Sequence, residues 1–343
     1  MANKVLVSGA NGFIASHSIA QLLARGDTVI GTVRNPADID RNKHLTALPG
    51  SGERLTLVAA DLTDSDPFSA CTDVDAVLHM ASPYVIDVKD AQRDLVTPAV
   101  EGTLAMLRAS AMSPRIKRVV LTSSMAAITD EPDGRMLTEK DWNKKSSLTR
   151  NPYYFSKSIA EQTAWEFMEK TKPSFDLVVI NPFMVIGPAL TREINTSNQI
   201  LVDIANGKYP AIMALEWGFV DVRDVAEAHV RAIDAASASG RYICAAGNRN
   251  MTQVVDLIQM AGASAKKLPT LKLDGGLGTT MMKLASRLQP PGTGDYLRTH
   301  LGRTPHFDNA KICRDLDISF RDLDATLTET IHDLIGAGHI AAA

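Results

Sequence analysis

Tyr153 and Lys157, in the stretch Asn151-Pro152-Tyr153-Tyr154-Phe155-Ser156-Lys157, have residue types and a spacing that could move a proton. On a helix, side chains four residues apart share one face, so the ammonium sits near the phenol and lowers a pKa that is ordinarily about 10. A phenol poised in this way is a proton donor for carbonyl chemistry. Taken alone, a Tyr-x-x-x-Lys match is most often a half-buried tyrosine near a surface lysine. Here it follows a strand-glycine-helix pattern suited to a dinucleotide. It also follows Ser123-Ser124, which ends the apolar run Arg118-Val119-Val120-Leu121-Thr122. A serine at the carboxyl edge of a doubly wound sheet can hydrogen-bond a substrate carbonyl.

The elements that must position these groups read as an alternation. Short runs rich in Val, Leu and Ile at 3–8, 28–33, 54–59, 75–80, 117–122 and 175–180 predict strands, with amphipathic stretches near 12–25, 87–111 and 152–171 as crossover helices. This pattern predicts an α/β fold, a doubly wound parallel sheet covered on both faces. Gly26 is placed to cap the first helix. After Gly187-Pro188 the alternation stops. Segments 189–218 and 264–306 are richer in Gly, Pro, Thr and Met, while 219–236 is helical in pattern and 241–245 is strand-like. A strand-like Ile318-Ser319-Phe320 and an amphipathic helix at about 323–336 close the chain, with a frayed Ala-rich tail at 341–343. The expected organisation is interleaved: 1–188 and 219–246 form a dinucleotide-binding domain, and 189–218 and 247–343 a smaller substrate-binding region.

Composition limits the alternatives. The 343 residues are 45% hydrophobic and 22% charged, ordinary for a globular enzyme, with a formal net charge of -3. No basic surplus suggests a nucleic-acid or anionic membrane partner. Cys71, Cys244 and Cys313 are scattered and lack paired spacing, which predicts free buried thiols in a reducing compartment. No signal-like apolar segment precedes Val5-Leu6-Val7 and no apolar run approaches a membrane span, so the expected location is cytoplasmic. The eight histidines never take metal-ligand spacing, His17 and His229 read as packing residues, and no catalytic metal is expected.

Directly after the first strand comes Ser8-Gly9-Ala10-Asn11-Gly12-Phe13-Ile14-Ala15. Gly9 allows the tight turn, Gly12 lets backbone approach a pyrophosphate, and Ala15 lets helix pack close to strand, with the helix N-terminus at Phe13 and Ile14 facing the phosphates. The second strand ends in Arg34, where an NAD enzyme usually offers a carboxylate to the ribose 2'-hydroxyl. A guanidinium there favours NADPH, whose 2'-phosphate it can hold in bidentate fashion. Arg41 is a candidate second phosphate contact or a solvated helix charge. Asp61-Leu62, after the third strand, stands where an adenine contact lies, with an ordinary N-cap as the competing reading.

The glycine fingerprint, the serine pair and Tyr153 with Lys157 together resemble the short-chain dehydrogenase/reductase family, in its extended branch. His79-Met80-Ala81-Ser82-Pro83, Thr97 through Thr103, Asn181-Pro182 with Val185-x-Gly187-Pro188, and Phe219 through Ala226 resemble the group containing dihydroflavonol reductases, cinnamoyl-CoA reductases and microbial aldehyde/ketone reductases. The resemblance implies that Ser124 is the catalytic serine, Tyr153 the proton donor and Lys157 a ligand of the nicotinamide ribose. It also implies that Met80, Ala81, Ser82, Thr122 and Ser123 border the cofactor, with Pro182 and Val185 beside the nicotinamide ring. Tyr154, three residues before Lys157, has the wrong spacing for the donor. Hydride passes to the carbonyl carbon, Tyr153 protonates the developing alkoxide and Ser124 steadies it.

Departures from the group narrow the substrate. Thr129 stands where plant dihydroflavonol reductases place an Asn for the flavonoid B-ring, and the Tyr153 segment lacks the Asn-Trp-Tyr-Cys-Tyr-Gly-Lys signature of cinnamoyl-CoA reductases. What remains is an NADPH-dependent reductase of small apolar aldehydes or ketones, acting as a monomer or homodimer. Ser82, Met125, Thr129, Phe183, Ile212, Met213 and Trp217 are candidate substrate contacts, the apolar ones equally readable as core. A nucleotide-sugar epimerase or dehydratase shares the fold and the Tyr/Lys pair, and Thr129-Asp130-Glu131 imitates a dehydratase acid triplet, but five residues past Ser124 it reads as a loop coincidence. A non-catalytic dinucleotide sensor would usually lack the Tyr/Lys pair.

Overall fold

The computed structural model describes residues 2–62, 64, 67–68, 72–82, 88–191 and 193–343; the Cys71 and Pro83 readings fall outside them. Strands β1 (Lys4–Ser8), β2 (Thr28–Val33), β3 (Leu55–Ala59), β4 (Ala76–His79), β5 (Arg118–Thr122), β6 (Asp176–Pro182) and β7 (Gly240–Cys244) form a seven-stranded sheet. All neighbours in it pair in parallel. Its spatial order is β7-β6-β5-β4-β1-β2-β3, so the winding reverses beside β1, which opens a crevice at the carboxyl ends of β1 and β4.

The strands read as nearly unbroken apolar runs because both faces are covered. Along β1, Val5 and Val7 enter one core cluster with helix α1 (Phe13–Arg25), while Leu6 points into the cluster that holds Met106, Leu107 and Ala164. The same two-residue alternation sends Val120, Val178 and Ile180 to the first cluster and Val119, Leu121, Leu177 and Val179 to the other. Helix α2 (Thr97–Ala111) and helix α3 (Pro152–Thr171) cover this second face. A wide five-residue turn, Gln92–Val96, leads into α2. Pro98 stands at the start of α2, where its missing N–H breaks the regular ladder.

After β6 the chain builds a second centre. Met184–Ile186 pairs in parallel with Glu216–Asp221, which pairs antiparallel with Gly247–Asn250. Around this small sheet a separate cluster gathers Leu201, Trp217, Phe219, Met251, Val254, Leu327 and Ile331, drawing on segments both before and after β7.

Three sequence expectations change here. The tail 341–343 is not frayed: Ala342 bridges Ala263, the Ser264 N–H donates to the Ala341 carbonyl at 2.8 Å and the Ala343 N–H to that of Gly262 at 2.9 Å. The stretch 219–236 is not helical throughout: Phe219 and Val220 lie in a strand, in register with Met184 and Val185, and helix α4 (Val222–Asp234) starts only where the Asp221 side chain accepts the Arg223 N–H. Apolar spacing continues across the boundary, so the pattern hides it. Ile318-Ser319-Phe320 forms no strand; Ile318 and Phe320 instead bury against the α1 side of the sheet. The last helix spans Leu323–Gly336.

Candidate active site

The crevice contains a cavity of about 720 Å³. Its floor is the turn after β1. Gly9 has φ +67°, and a Cβ there would meet the Ala81 backbone at 3.1 Å. A Cβ on Gly12 would lie 3.0 Å from the Gly9 carbonyl oxygen. Gly12 is also the N-cap of α1 and supplies no capping side chain, so the first amides of the helix keep their donors for a ligand. Gly9, Asn11, Gly12 and Phe13 line the cavity, whereas Ile14 packs its side chain on the core.

At the outer end stand Arg34 and Arg41. Arg34 is exposed, and among the described residues no carboxylate pairs with it. Arg41 reaches to 4.0 Å from Glu193 across the mouth. Asp61 and Leu62, after β3, form one wall; Met80, Ala81 and Ser82, after β4, form the inner one.

The inner wall joins the proton-transfer pair. The Lys157 ammonium donates to Ser82 Oγ at 2.8 Å and lies 5.8 Å from the centre of the Tyr153 ring. Lys157 is only 8% exposed, and desolvation brings its pKa from 10.5 down to about 8. Tyr153 is half-buried, with the Tyr154 ring edge-on at 6.0 Å. Tyr154 is occupied elsewhere, its hydroxyl 3.3 Å from His300 Nε2.

The three hydroxyls closing β5 differ in what they bond. Thr122 Oγ1 is 2.7 Å from His229 Nε2, and buried Ser123 donates to Glu161 Oε2 at 2.5 Å. Half-buried Ser124 caps the turn Met125–Ala127, its Oγ accepting from the Ala126 N–H at 3.2 Å. None of Thr122, Ser123, Ser124, Tyr153 and Lys157 lines the cavity itself, to which Ser82 joins Lys157, and Pro182 and Val185 are buried beyond it.

The start of α3 is held by charge. Asn151 has φ +47°, left-handed for a non-glycine residue. Its N–H donates to Asp295 at 3.1 Å and its side-chain amide to Asp130 and Thr299. Asp130 is buried and pairs with Arg150 at 2.8 Å, while Glu131 pairs with Lys145, Arg150 and Arg303. Thr129 is buried as well, accepting from the Glu131 N–H at 3.3 Å. The Thr129-Asp130-Glu131 triplet is thus an anchor of the helix bearing Tyr153.

The apolar substrate candidates pack as core. Ile212, Met213 and Trp217 are all buried in the second cluster. The Phe183 ring lies tilted against that of Phe307, with ring centres 4.6 Å apart. Met125 is half-buried beside Phe183 in a small cluster with Ile128 and Ile243. Sequence reasoning passed over Glu161 and Arg241, a buried pair at 2.5 Å directly behind Ser123. Two signals marked them: Glu161 falls one turn after Lys157, and Arg241 is a lone charge in the strand Gly240–Cys244. Among the described residues no group of three or more His, Cys, Asp or Glu could hold a metal, and no helix is long and apolar enough to cross a membrane. Cys244 and Cys313 are free.

Residues 5–245 match the model of the NAD dependent epimerase/dehydratase family. Cinnamoyl-CoA reductase CAD2 of Medicago truncatula is 41% identical over 269 residues, covering 76% of this chain and 81% of that protein. Cinnamoyl-CoA reductase 1 of Arabidopsis thaliana is 37% identical over 343 residues, covering 98% and 90% respectively. Among solved structures, Gre2 from Candida albicans in complex with NADPH matches with a TM-score of 0.79 at 31% identity, over 97% of this chain and 99% of that one.

Proposed function

Because the chain belongs to the NAD dependent epimerase/dehydratase family, we propose that it works there as an NADPH-dependent reductase of small apolar aldehydes and ketones. The observation that carries this reading is the line running from exposed Arg34, along the glycine turn, to Ser82 and the buried Lys157 beside Tyr153. The residues present fit the cofactor: a cradle that a Cβ would fill, uncapped helix amides, and a guanidinium without a described carboxylate partner. The relatives are reductases, and Gre2 of Candida albicans is complexed with NADPH. The chain is accordingly an NADP-dependent oxidoreductase.

Bound NADPH supplies the hydride. The amides of Phe13 and Ile14 would hold its pyrophosphate, Arg34 and Arg41 its 2'-phosphate, and Asp61 and Leu62 would border the adenine. Lys157, placed by Ser82, would bond the ribose and keeps a positive charge near Tyr153. Tyr153 gives its phenolic proton to the carbonyl oxygen as negative charge develops there, and Ser124 donates a hydrogen bond to the same oxygen. Segments 189–218 and 247–343 make up the substrate-binding region, with Met125 the half-buried side chain nearest Ser124 in sequence.

A CoA thioester is the second reading, favoured by the two cinnamoyl-CoA reductase relatives. Against it stand the absent Asn-Trp-Tyr-Cys-Tyr-Gly-Lys signature and the lack of a basic cluster in 189–218 to hold the CoA phosphates. The test is loss of NADPH absorbance with simple alkyl and aryl ketones, a cinnamoyl-CoA thioester and dihydroquercetin. Clear preference for either of the last two overturns the apolar-carbonyl reading.

A further inference from the structure

We propose that Glu161 is a positioning residue for this reaction: its buried carboxylate locks the Ser123-Ser124 strand end to the helix that carries Tyr153 and Lys157, with Arg241 as its fixed counter-charge. The inference rests on the reading of Ser124, Tyr153 and Lys157 given above. Glu161 lies four residues after Lys157 on α3 and is 1% exposed. Its two oxygens accept from four side chains on four elements or turns. Oε2 takes the Ser123 hydroxyl at 2.5 Å and the Asn181 amide at 2.8 Å. Oε1 takes Arg241 Nε at 2.5 Å and Trp165 Nε1 at 3.3 Å.

Arg241 is equally fixed. Nη1 donates to the carbonyl oxygens of Glu139 at 3.0 Å and Asp141 at 2.5 Å, Nη2 to that of Ala127 and to Glu161 Oε2, each at 3.4 Å, and the guanidinium lies 3.8 Å over the Trp142 ring. A buried ion pair is a poor source of net stability, since well-packed apolar side chains do as well. What this pair does with its second oxygen is specific. The Asn181 amide that donates to Glu161 also donates to the backbone oxygen of Ser124 at 3.1 Å. Ser124 is therefore held through its preceding residue and through its own carbonyl, and both restraints end on one carboxylate. Its backbone is extended, φ -161° and ψ 158°, immediately before the Met125–Ala127 turn. Rotation there swings the hydroxyl away from a carbonyl protonated by Tyr153. Misplacement of a reacting group by about 1 Å can cost about 100-fold in rate. None of the four side chains bonded to Glu161 lines the cofactor cavity, and its effect is expected in turnover.

The test uses the full chain and its best ketone or aldehyde substrate. Ser123→Ala, Ser123→Thr and Glu161→Gln are compared with the unsubstituted protein for kcat, KM, NADPH Kd and thermal midpoint. Ser123→Ala is expected to lower kcat about tenfold or more while NADPH Kd stays within about twofold, and Ser123→Thr, which keeps the hydroxyl, to recover most of the loss. Glu161→Gln loses more, with a changed tryptophan emission from Trp165, its indole partner. Turnover by the unsubstituted protein tests the reductase reading separately. The proposal is overturned if folded Ser123→Ala keeps kcat within about twofold of the unsubstituted protein, or if Ser123→Thr is as impaired as Ser123→Ala.

Discussion

Replacing Lys157 by Met is expected to abolish reduction and yet make the ligand-free protein more stable at pH 7. Lys157 is buried, and desolvation brings its pKa from 10.5 to about 8. Each step of one in pKa corresponds to about 1.4 kcal/mol, so the charged lysine costs the ligand-free fold about 3 kcal/mol. Met has similar length and no charge. Its introduction also removes the hydrogen bond to Ser82, which offsets about 1 kcal/mol of the gain. The net increase of about 2 kcal/mol raises the unfolding midpoint of a chain this long by about 3 °C. The sign with pH follows from the two pKa values. Below pH 8 both folded and unfolded states hold the proton, and the whole burial cost is felt. Between about 8 and 10.5 only the unfolded state holds it, so the stability of the unsubstituted protein rises with pH and approaches that of the Met variant. Thermal or urea unfolding of both proteins without NADPH, at pH 7 and near pH 10, measures this gap. A Met variant less stable at pH 7, or a gap that does not narrow at the higher pH, refutes the reasoning.

The cofactor preference depends on Arg34. Its replacement by Ala should weaken NADPH about 10- to 100-fold in titration and leave NADH nearly unchanged. Equal catalytic efficiency of the unsubstituted protein with both cofactors contradicts the assignment. Tyr153→Phe should lower kcat by about 100-fold or more with NADPH binding preserved. Tyr154→Phe, which loses a 3.3 Å contact with His300, should stay within a few-fold; equal losses in the two variants count against the donor assignment. Asp130→Ala, which takes an acceptor from the buried Asn151 amide and leaves the partly exposed Arg150 with Glu131, should cost about 2 kcal/mol in urea unfolding, and a cost below about 0.5 kcal/mol would show that the anchor at the start of α3 is dispensable.

The parts of the molecule that were readable in sequence are those specified locally. The strands of the main sheet are short, apolar on both faces and broken by turns, and the structure places them within about two residues of the reading. The glycine turn was readable because Gly9 and Gly12 do a job that only backbone can do. Tyr153 and Lys157 were readable because one helix carries both. The start of α4 was not, since Val222 continues the apolar spacing of Phe219 and Val220; the strand exists because Met184 and Val185 lie alongside. Ile318-Ser319-Phe320 has a strand's alternation, but among the described residues it pairs with no strand to complete a ladder.

The support of the site was hidden for a different reason. Ser82 meets Lys157 across 75 residues, and Glu161 gathers Ser123, Asn181 and Arg241 across 38, 20 and 80. No local period records such meetings, but residue chemistry does. A charged or amide side chain in an apolar segment must be satisfied when the segment folds into the core, because an unpaired buried polar group costs more than a net hydrogen bond returns. Asn181 near the end of β6, Arg241 in β7 and Asp130 after β5 are such residues. Asn181 and Arg241 hold Glu161 behind the Ser124 end of β5; Asp130 holds the first residue before α3. Polar groups are thus spent at the two places where backbone must not drift, one behind Ser124 and one before Tyr153, and a lone polar residue in an apolar run marks a position worth testing for control of catalytic geometry.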